Sequence, residues 1–378
     1  MKIVIAIDSF KGSLSSKDAG KTVEEAIHSL LPECETICIP IADGGEGTLS
    51  VIMETTGATL HTVLAHNPCM EIIPSQYGIS ADGQTAFIEM AAISGLPLIR
   101  EDQQNPMETT TFGTGELILD ALQKRCTRFI VGIGGSATND GGTGMLQALG
   151  FKFMNYEGKP LGLGGKTLNE ISRIDHSQVN PLLKKAHFIV ACDVRNPLYG
   201  PEGAAFVYAR QKGADDAMIF ELDKGMQSFA EIIQKETGKD ISHIPGSGAA
   251  GGLGGGMLAF LNAELKSGAD LLLEYCRFEE KIADADLIIT GEGSIDRQSL
   301  MGKIPGKILQ IANKHHIPVI GISGIAKDRD LFKQAGFKEI YTTKPDSMTI
   351  EEAMKPGIAE QNLKNTVLSI FGSPVNFD

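Results

Sequence analysis

Both ends of the chain carry short, continuous apolar runs that alternate with amphipathic helical patterns. Two such runs lie near the start, at residues 3–8 and 36–41, and three lie near the end, at 286–289, 318–322 and 339–342. Strands that are apolar without alternation are buried on both faces, as in a parallel sheet covered by helices. Ser15, with Asp18 three residues later, predicts the start of the first helix. Five βα units drawn from both termini therefore predict a flavodoxin-like domain.

The middle of the chain follows a different pattern. Residues 58–100 alternate apolar and polar positions, which predicts antiparallel hairpins with a turn at 81–83. Further βα patterns follow at 129–150 and 188–196. The predicted fold class is therefore α/β: a flavodoxin-like parallel-sheet domain of residues 1–60 and 266–378, interrupted by an inserted α/β domain of residues 61–265. A cleft between the two domains is the expected ligand site.

Charge and composition narrow the function classes. The 378 residues include 34 Lys and Arg against 47 Asp and Glu, which gives a net charge of −13. This balance argues against nucleic acid or an anionic membrane surface as a partner, so any anion must be held locally. No apolar stretch is long enough to span a membrane. The six cysteines lack paired metal-site spacing, which predicts buried, inert thiols in a reduced, cytoplasmic protein.

Glycine-rich loops are the most informative feature of the sequence. Residues 132–137 formally fit the dinucleotide fingerprint, but a polar loop and a second glycine pair follow where a helix should begin. Exposed backbone N–H groups, hydroxyls, an amide and a carboxylate at a strand end instead favour phosphate binding. A second run, 246–256, suits close approach of backbone either to a nucleotide or to another helix. The predicted nucleotide-binding residues are Gly134, Gly135, Ser136, Thr138, Asn139, Asp140, Gly248, Gly251 and Gly252.

Acidic residues follow several predicted strands. Parallel topology brings strand ends to one edge of a sheet, which gathers Asp8, Asp43, Glu46 and Asp296 near Lys11 and Arg297. Such a cluster in an acidic chain favours a bound divalent cation, although turn chemistry alone accounts equally well for any single loop. The predicted metal ligands are Asp43, Glu46 and Glu292.

Two further segments each allow a functional and a structural interpretation. Asp193 ends another apolar run, where it suits a proton acceptor, a magnesium ligand or simply a cap or turn residue. Residues 302–307 precede a helix whose N-terminus suits an anion, or their lysines are solvated surface.

Taken together, these motifs resemble the bacterial glycerate kinases of the first type, over nearly the whole chain and in order. The motifs are DSFKGSLS at 8–15, ADGGEGT at 42–48, GGSATNDGG at 134–142, CDV at 192–194 with NPL at 196–198, QKGA at 211–214, and TGEG at 290–293 with Asp296, Gln298 and Ser299. The resemblance implies phosphorylation of D-glycerate by ATP with Mg²⁺, with 2-phosphoglycerate favoured over 3-phosphoglycerate. Residues 208–210 depart from the family's usual Phe-Gly-Pro, and Ser247 replaces an alanine.

Roles for single residues follow as hypotheses, because phosphoryl transfer depends mostly on positioning and charge neutralisation. Lys11 is the first candidate to bind the glycerate carboxylate and Arg297 the second, with Asp8 and Ser9 beside them. Asp193 and Asp296 share the roles of base and metal ligand. A nicotinamide-dependent oxidoreductase and a non-catalytic small-acid binding protein remain as rivals, and the sequence leaves open whether the chain forms a homo-oligomer.

Overall fold

The computed structural model describes residues 1–10, 12–42, 48–300 and 302–372, except the side chains of Thr48 and Gln298. The strands are β1 Lys2–Ile7, β2 Glu35–Cys38, β3 Thr59–His66, β4 Ile72–Ile79, β5 Thr85–Glu89, β6 Arg128–Gly132, β7 Lys152–Met154, β8 Arg173–Asp175, β9 His187–Ala191, β10 Glu264–Lys266, β11 Leu287–Ile295, β12 Val319–Ala326 and β13 Glu339–Thr342. The α-helices are α1 Ser16–Leu30, α2 Thr48–Thr56, α3 Ala91–Ser94, α4 Phe112–Gln123, α5 Thr143–Ala148, α6 Asp216–Thr237, α7 Leu253–Phe260, α8 Gly268–Tyr275, α9 Phe278–Ile282, α10 Ile304–Lys314, α11 Arg329–Ala335, α12 Ile350–Ala353 and α13 Pro356–Gly372.

The chain divides into two compact units. The first unit comprises residues 1–52 and 269–378, and the second comprises residues 53–268. The boundaries predicted from the sequence, after residues 60 and 265, stay a prediction.

The first unit contains a five-stranded parallel sheet in the order β2-β1-β11-β12-β13. Along β1, Ile3 to Ile7 are all buried, so neither face of the strand is left to solvent. Ile3, Ile5 and Ile7 share one core with apolar residues of α1 and α13. Renumbered within the unit, the order is 2-1-3-4-5, the flavodoxin-like arrangement, which confirms the predicted fold class. Helix α1 begins as predicted, since the Ser15 hydroxyl accepts a hydrogen bond from the Asp18 amide at 3.1 Å.

The second unit contains a six-stranded mixed sheet in the order β10-β9-β6-β5-β4-β3. Strands β3, β4 and β5 are antiparallel neighbours, as the alternating pattern predicts, whereas β5, β6, β9 and β10 run parallel. Strands β7 and β8, which fall between β6 and β9 in the sequence, form a separate two-stranded antiparallel sheet. Phe129 and Phe188 stack at 4.7 Å between ring centroids within the core of this unit. The parallel strands β6 and β9 end at the loops that carry the polar residues 134–142 and Asp193.

Two sequence expectations about exposure can be compared with the structure. No helix within the described ranges is long and apolar enough to cross a membrane. All six cysteines are free thiols, but Cys38 and Cys69 are exposed, so the expectation that every thiol is buried is wrong. Partial burial nonetheless raises the pKa of Cys38 to about 12, with Glu24 contributing.

Candidate active site

A cavity of about 370 Å³ lies in the first unit, where strands β1, β11, β12 and β13 reach their carboxyl ends; it is called the strand-end cavity below. Four of the residues predicted from sequence line it: Asp8, Ser9, Glu292 and Asp296. Open α/β sheets bind their ligands at this edge. The topology therefore brings together acids that are almost 290 residues apart in the chain.

The carboxylate of Asp8 is held in place by the backbone that follows β1. Only 3 % of Asp8 is exposed, and its Oδ1 accepts a hydrogen bond from the Ser9 amide at 2.5 Å. The Asp8 amide extends the ladder of the sheet by donating to the Gly291 carbonyl at 2.8 Å. Asp8 is thus an extension of the sheet rather than a mobile surface acid.

Two more acids follow β11, and a lysine faces one of them. Glu292 is buried, and its Oε2 lies 3.9 Å from the ammonium nitrogen of Lys303. The backbone of Asp296 forms a reciprocal turn with Ser299. Its amide donates to the Ser299 hydroxyl at 3.2 Å, and its carbonyl accepts from the Ser299 amide at 2.9 Å.

 

Lys303 immediately precedes the first residue of α10, and Pro305 stands in the first turn of that helix. The positive end of the helix and the Lys303 ammonium therefore face the same cavity as the acids. Lys344, which follows β13, also lines the cavity, and its ammonium donates to the carbonyls of Pro345 and Met348. The sequence left residues 302–307 open between an anion site and solvated surface, and Lys303 was not among the predicted site residues.

One wall of the strand-end cavity is apolar. Phe10, Ile325, Ile350 and Met354 contribute to it, and Ile350 remains 55 % exposed. A capping box formed by Thr349 and Glu352 fixes the short helix α12 that carries part of this wall. The periodicity of the sequence gave no signal for this wall, because a four-residue helix is too short to show one.

Four further site residues that the sequence predicts in the first unit are not found among the described residues that line the cavity. Lys11, Asp43 and Glu46 lie outside the described residues. Arg297 is solvent-exposed, and it is not among the described residues that line the cavity. No group of three or more His, Cys, Asp and Glu side chains able to hold a metal ion occurs in the described part of the chain.

In the second unit, the polar loop after β6 is organised by the buried carboxylate of Asp140. Its oxygens accept hydrogen bonds from the Thr111 amide at 2.8 Å, the Thr111 hydroxyl at 2.9 Å and the Thr110 hydroxyl at 3.2 Å. The amides of Gly142 and Gly144 also donate to it, at 3.1 and 3.2 Å. Helix α5 begins only at Thr143, which excludes the dinucleotide-type helix start at the first glycines.

A buried lysine lies beside this loop. Lys212 is 2 % exposed, and its ammonium donates to the Ser136 hydroxyl and to the Thr138 carbonyl, each at 2.7 Å. Burial lowers the pKa of Lys212 to about 7, and the charge of Asp140 acts in the opposite direction. No role for Lys212 was predicted from the sequence, although the QKGA motif that contains it is one of the motifs that carry the family resemblance.

The glycine run 246–256 packs against the polar loop. A Cβ on Gly251 would lie 2.0 Å from the Thr138 carbonyl oxygen, and one on Gly256 would lie 2.4 Å from the Gly141 carbonyl oxygen. The Gly141 amide donates to the Gly251 carbonyl at 3.0 Å. Close backbone packing therefore accounts for these glycines, and the predicted nucleotide contacts of Gly248, Gly251 and Gly252 stay predictions.

Asp193 is exposed at the end of β9, and its Oδ1 accepts a hydrogen bond from the Gly268 amide at 3.0 Å. Gly268 is the first residue of α8, so the carboxylate also serves the start of a helix. The two interpretations offered by the sequence are therefore compatible at this residue.

Comparison with known proteins gives matches along nearly the whole chain. A family model described as the glycerate kinase family matches residues 3–373. Glycerate 2-kinase of Escherichia coli K12 is 46% identical over 357 residues, which is 94% of this chain and 93% of the relative. Glycerate kinase of Halalkalibacterium halodurans is 43% identical over 366 residues, 96% of each chain. A crystal structure described as a candidate glycerate kinase 2 of Salmonella typhimurium LT2 superposes with a TM-score of 0.88 at 40% identity, covering 98% of this chain and 97% of the other.

Proposed function

Because the chain belongs to the glycerate kinase family, we propose that it transfers the terminal phosphoryl group of ATP to an alcohol oxygen of D-glycerate. The observation that carries the proposal is the strand-end cavity, where Asp8, Glu292 and Asp296 lie with Lys303. Phosphoryl transfer needs acids to manage a metal and a proton, and cations to hold anionic reactants. Together with the family match, this combination of acids and a cation supports an enzyme that phosphorylates an alcohol.

Binding of glycerate requires a cation for its carboxylate and polar groups for its hydroxyls. Among the described residues that line the cavity, Lys303 supplies a cation for the carboxylate, and Ser9 supplies a hydroxyl for hydrogen bonding to glycerate. Lys11 and Arg297 remain the cations proposed from the sequence, with Asp8 as a partner for a substrate hydroxyl. Glycerate is a small polar acid and does not need the apolar wall of the cavity for binding. That wall is available for contact with another part of the reactants.

The chemical step proceeds by attack of a substrate hydroxyl oxygen on the γ-phosphorus. The new O–P bond forms while the bond between the γ-phosphorus and the bridging oxygen breaks, and ADP leaves with that electron pair. The hydroxyl proton passes to a carboxylate, for which Asp193 and Asp296 are the proposed acceptors, the other serving as a metal ligand. Positioning of these groups supplies most of the rate enhancement in reactions of this type.

Mg²⁺ is the metal that suits the carboxylates of this site. It prefers oxygen ligands and is usually held by one or two carboxylates together with substrate phosphates, so a ready-made cluster of three acids is not required. Glu292, with Asp43 and Glu46, would hold it. The ion would neutralise charge on the phosphate groups during transfer.

The nucleotide is proposed to bind at the loop after β6, through Gly134, Gly135, Ser136, Thr138, Asn139 and Asp140. Backbone amides at glycines with positive φ form concavities that suit phosphate oxygens, and Gly135, Gly141 and Gly142 have φ of 72°, 62° and 79°. Gly134 and Gly135 are exposed, whereas Ser136, Thr138, Asn139 and Asp140 are buried beneath them in the loop.

Several finer points also belong to the proposal. The name of the Escherichia coli relative, glycerate 2-kinase, supports 2-phosphoglycerate as the product. Membership of the first type of glycerate kinases stays a prediction from the sequence. A cytoplasmic location, catalysis between the two domains and assembly into a homo-oligomer stay predictions from the sequence.

The test is a coupled assay of ADP release with D-glycerate and related hydroxy acids, followed by phosphorus NMR of the product. We expect ADP release that depends on D-glycerate, and a phosphorus signal coupled to the proton on carbon 2. Asp296→Asn should lower kcat by about a hundredfold, whereas Asp330→Asn, an exposed acid of α11, should leave it unchanged. Absence of glycerate-dependent ADP release from the folded wild-type protein would refute the proposal.

A further inference from the structure

The ammonium group of Lys212 is a buried charge whose hydrogen-bond partners are both neutral. It donates to the Ser136 hydroxyl and the Thr138 carbonyl, and among the described residues it forms no ion pair with a carboxylate. Asp140 is the acid whose charge acts on it, but that carboxylate already accepts hydrogen bonds from five groups of its own loop and of residues 110–111. Fully buried lysines are rare unless they are paired with a counter-charge.

On the loop that Lys212 binds, and on the glycine run packed against it, several polar side chains are buried without a hydrogen-bond partner among the described residues. Both side-chain atoms of Asn139 and the hydroxyl of Thr138 lack a hydrogen-bond partner within the described residues, and both side chains are fully buried. The hydroxyl of Ser247, in the glycine run that packs on this loop, is in the same state. Buried polar groups are almost always paired, because leaving one unpaired is unfavourable. Such a concentration on one loop indicates donors that a ligand satisfies.

From this geometry we infer that Lys212 supplies the positive charge of an anion site, completed by Thr138 and Asn139, that takes a phosphate group of the nucleotide. The inference rests on the proposed function and adds to it a residue and a ligand group. An ammonium, a hydroxyl and an amide N–H₂ group can each donate a hydrogen bond to an oxygen of a phosphate group. The exposed residues Gly134 and Gly135 directly precede Ser136, so the solvent-facing part of the loop begins next to this group.

A purely structural role for Lys212 makes a different prediction. If the lysine only ties residues 136 and 138 together, its loss lowers stability and affects both substrates alike. If it binds phosphate, its loss weakens the nucleotide selectively. Asn139 separates the two cases more cleanly, because its side chain forms no hydrogen bond with the described residues that a substitution could break.

The experiment compares the wild-type protein with Lys212→Met, Asn139→Leu and a matched lysine control, Lys239→Met. Lys239 lies in the same unit, and its ammonium donates to the Leu258 and Ala259 carbonyls at the end of α7 and to the Asn262 side chain rather than to the loop. Affinity for ADP is measured by calorimetry, and KM is measured for ATP and for D-glycerate separately. Thermal unfolding followed by circular dichroism reports whether each variant folds.

Lys212→Met and Asn139→Leu should each weaken ADP binding by roughly tenfold or more, the loss expected for a charge-assisted or buried hydrogen bond. KM for ATP should rise in parallel, with KM for D-glycerate within about twofold of wild type. Asn139→Leu should unfold at a temperature no lower than wild type. Lys239→Met should bind ADP as wild type does.

Wild-type ADP affinity in the folded Lys212→Met and Asn139→Leu proteins would overturn the inference, as would a rise in KM for D-glycerate alone. If Lys212→Met does not fold, Asn139→Leu decides the question by itself. Glycerate turnover by the wild type is scored separately. A protein that binds ADP through Lys212 but does not phosphorylate glycerate would refute the proposed function and keep the anion site.

Discussion

The carboxylate of Asp140 offers the sharpest test of how the polar loop is built. Asp140→Asn replaces one acceptor oxygen by an N–H₂ group, which in either orientation faces a backbone N–H: that of Gly142 on one side, or those of Thr111 and Gly144 on the other. Leaving one buried donor without an acceptor costs about 1–3 kcal/mol. The remaining donors change from charge-assisted to neutral hydrogen bonds, which removes roughly another 1 kcal/mol each. Because such terms are not additive, we expect a loss of about 3–5 kcal/mol.

Urea unfolding followed by circular dichroism is the appropriate assay, since the chain contains no tryptophan. Asp215→Asn is the matched control: Asp215 is exposed and caps α6 by accepting from the Met218 amide at 2.8 Å. Asparagine caps helices about as well as aspartate, so this control should change the unfolding free energy by less than about 0.5 kcal/mol. A loss below about 1 kcal/mol in Asp140→Asn would refute the view that this carboxylate holds the loop together.

Three further predictions follow from single residues. Because the pKa of Lys212 is lowered from 10.5 to about 7, the unfolded chain binds the extra proton between these values, and the unfolding free energy rises with pH across that window. The rise amounts to roughly 5 kcal/mol at 1.36 kcal/mol per pKa unit; Lys212→Met should lose it, and parallel pH profiles from pH 7 to 9.5 would contradict this. Gly251→Ala forces a φ of 64° on alanine and places its Cβ 2.0 Å from the Thr138 carbonyl. Destabilisation of at least about 2 kcal/mol should follow, and an unchanged melting temperature would argue against the described packing. Asp193→Asn should lower kcat about a hundredfold with its fold intact, and near-normal turnover would remove Asp193 from the mechanism.

The sheet of the first unit could be predicted because its three central strands are largely buried on both faces. Burial of Ile3 to Ile7 leaves a continuous apolar run, and buried runs occur again in β11 and β12. Once the strands are parallel, the residues that follow them share one edge. The meeting of Asp8, Ser9, Glu292 and Asp296 in one cavity is a consequence of topology that needs no knowledge of side-chain contacts.

Contacts between distant segments were beyond sequence reasoning. Asp140 was predicted to face the nucleotide, but whether its carboxylate is free depends on Thr110 and Thr111, which lie some thirty residues earlier. Lys212 meets Thr138 across more than seventy residues of chain. Nothing in the local pattern of QKGA distinguishes a buried lysine from a solvated one. The exposure of Cys38 was also missed. It depends on the position of β2 at one edge of its sheet, which the local sequence pattern does not reveal.

The contact between Gly251 and Thr138 carries a consequence for redesign of this enzyme. Only hydrogen atoms separate the two backbones there, so neither segment can be shifted without displacing the other. Attempts to adapt the proposed nucleotide site to a bulkier or differently charged phosphate donor should therefore leave residues 246–256 untouched. Substitutions in that proposed site are better placed on side chains such as Ser136, whose replacement does not push two main chains apart.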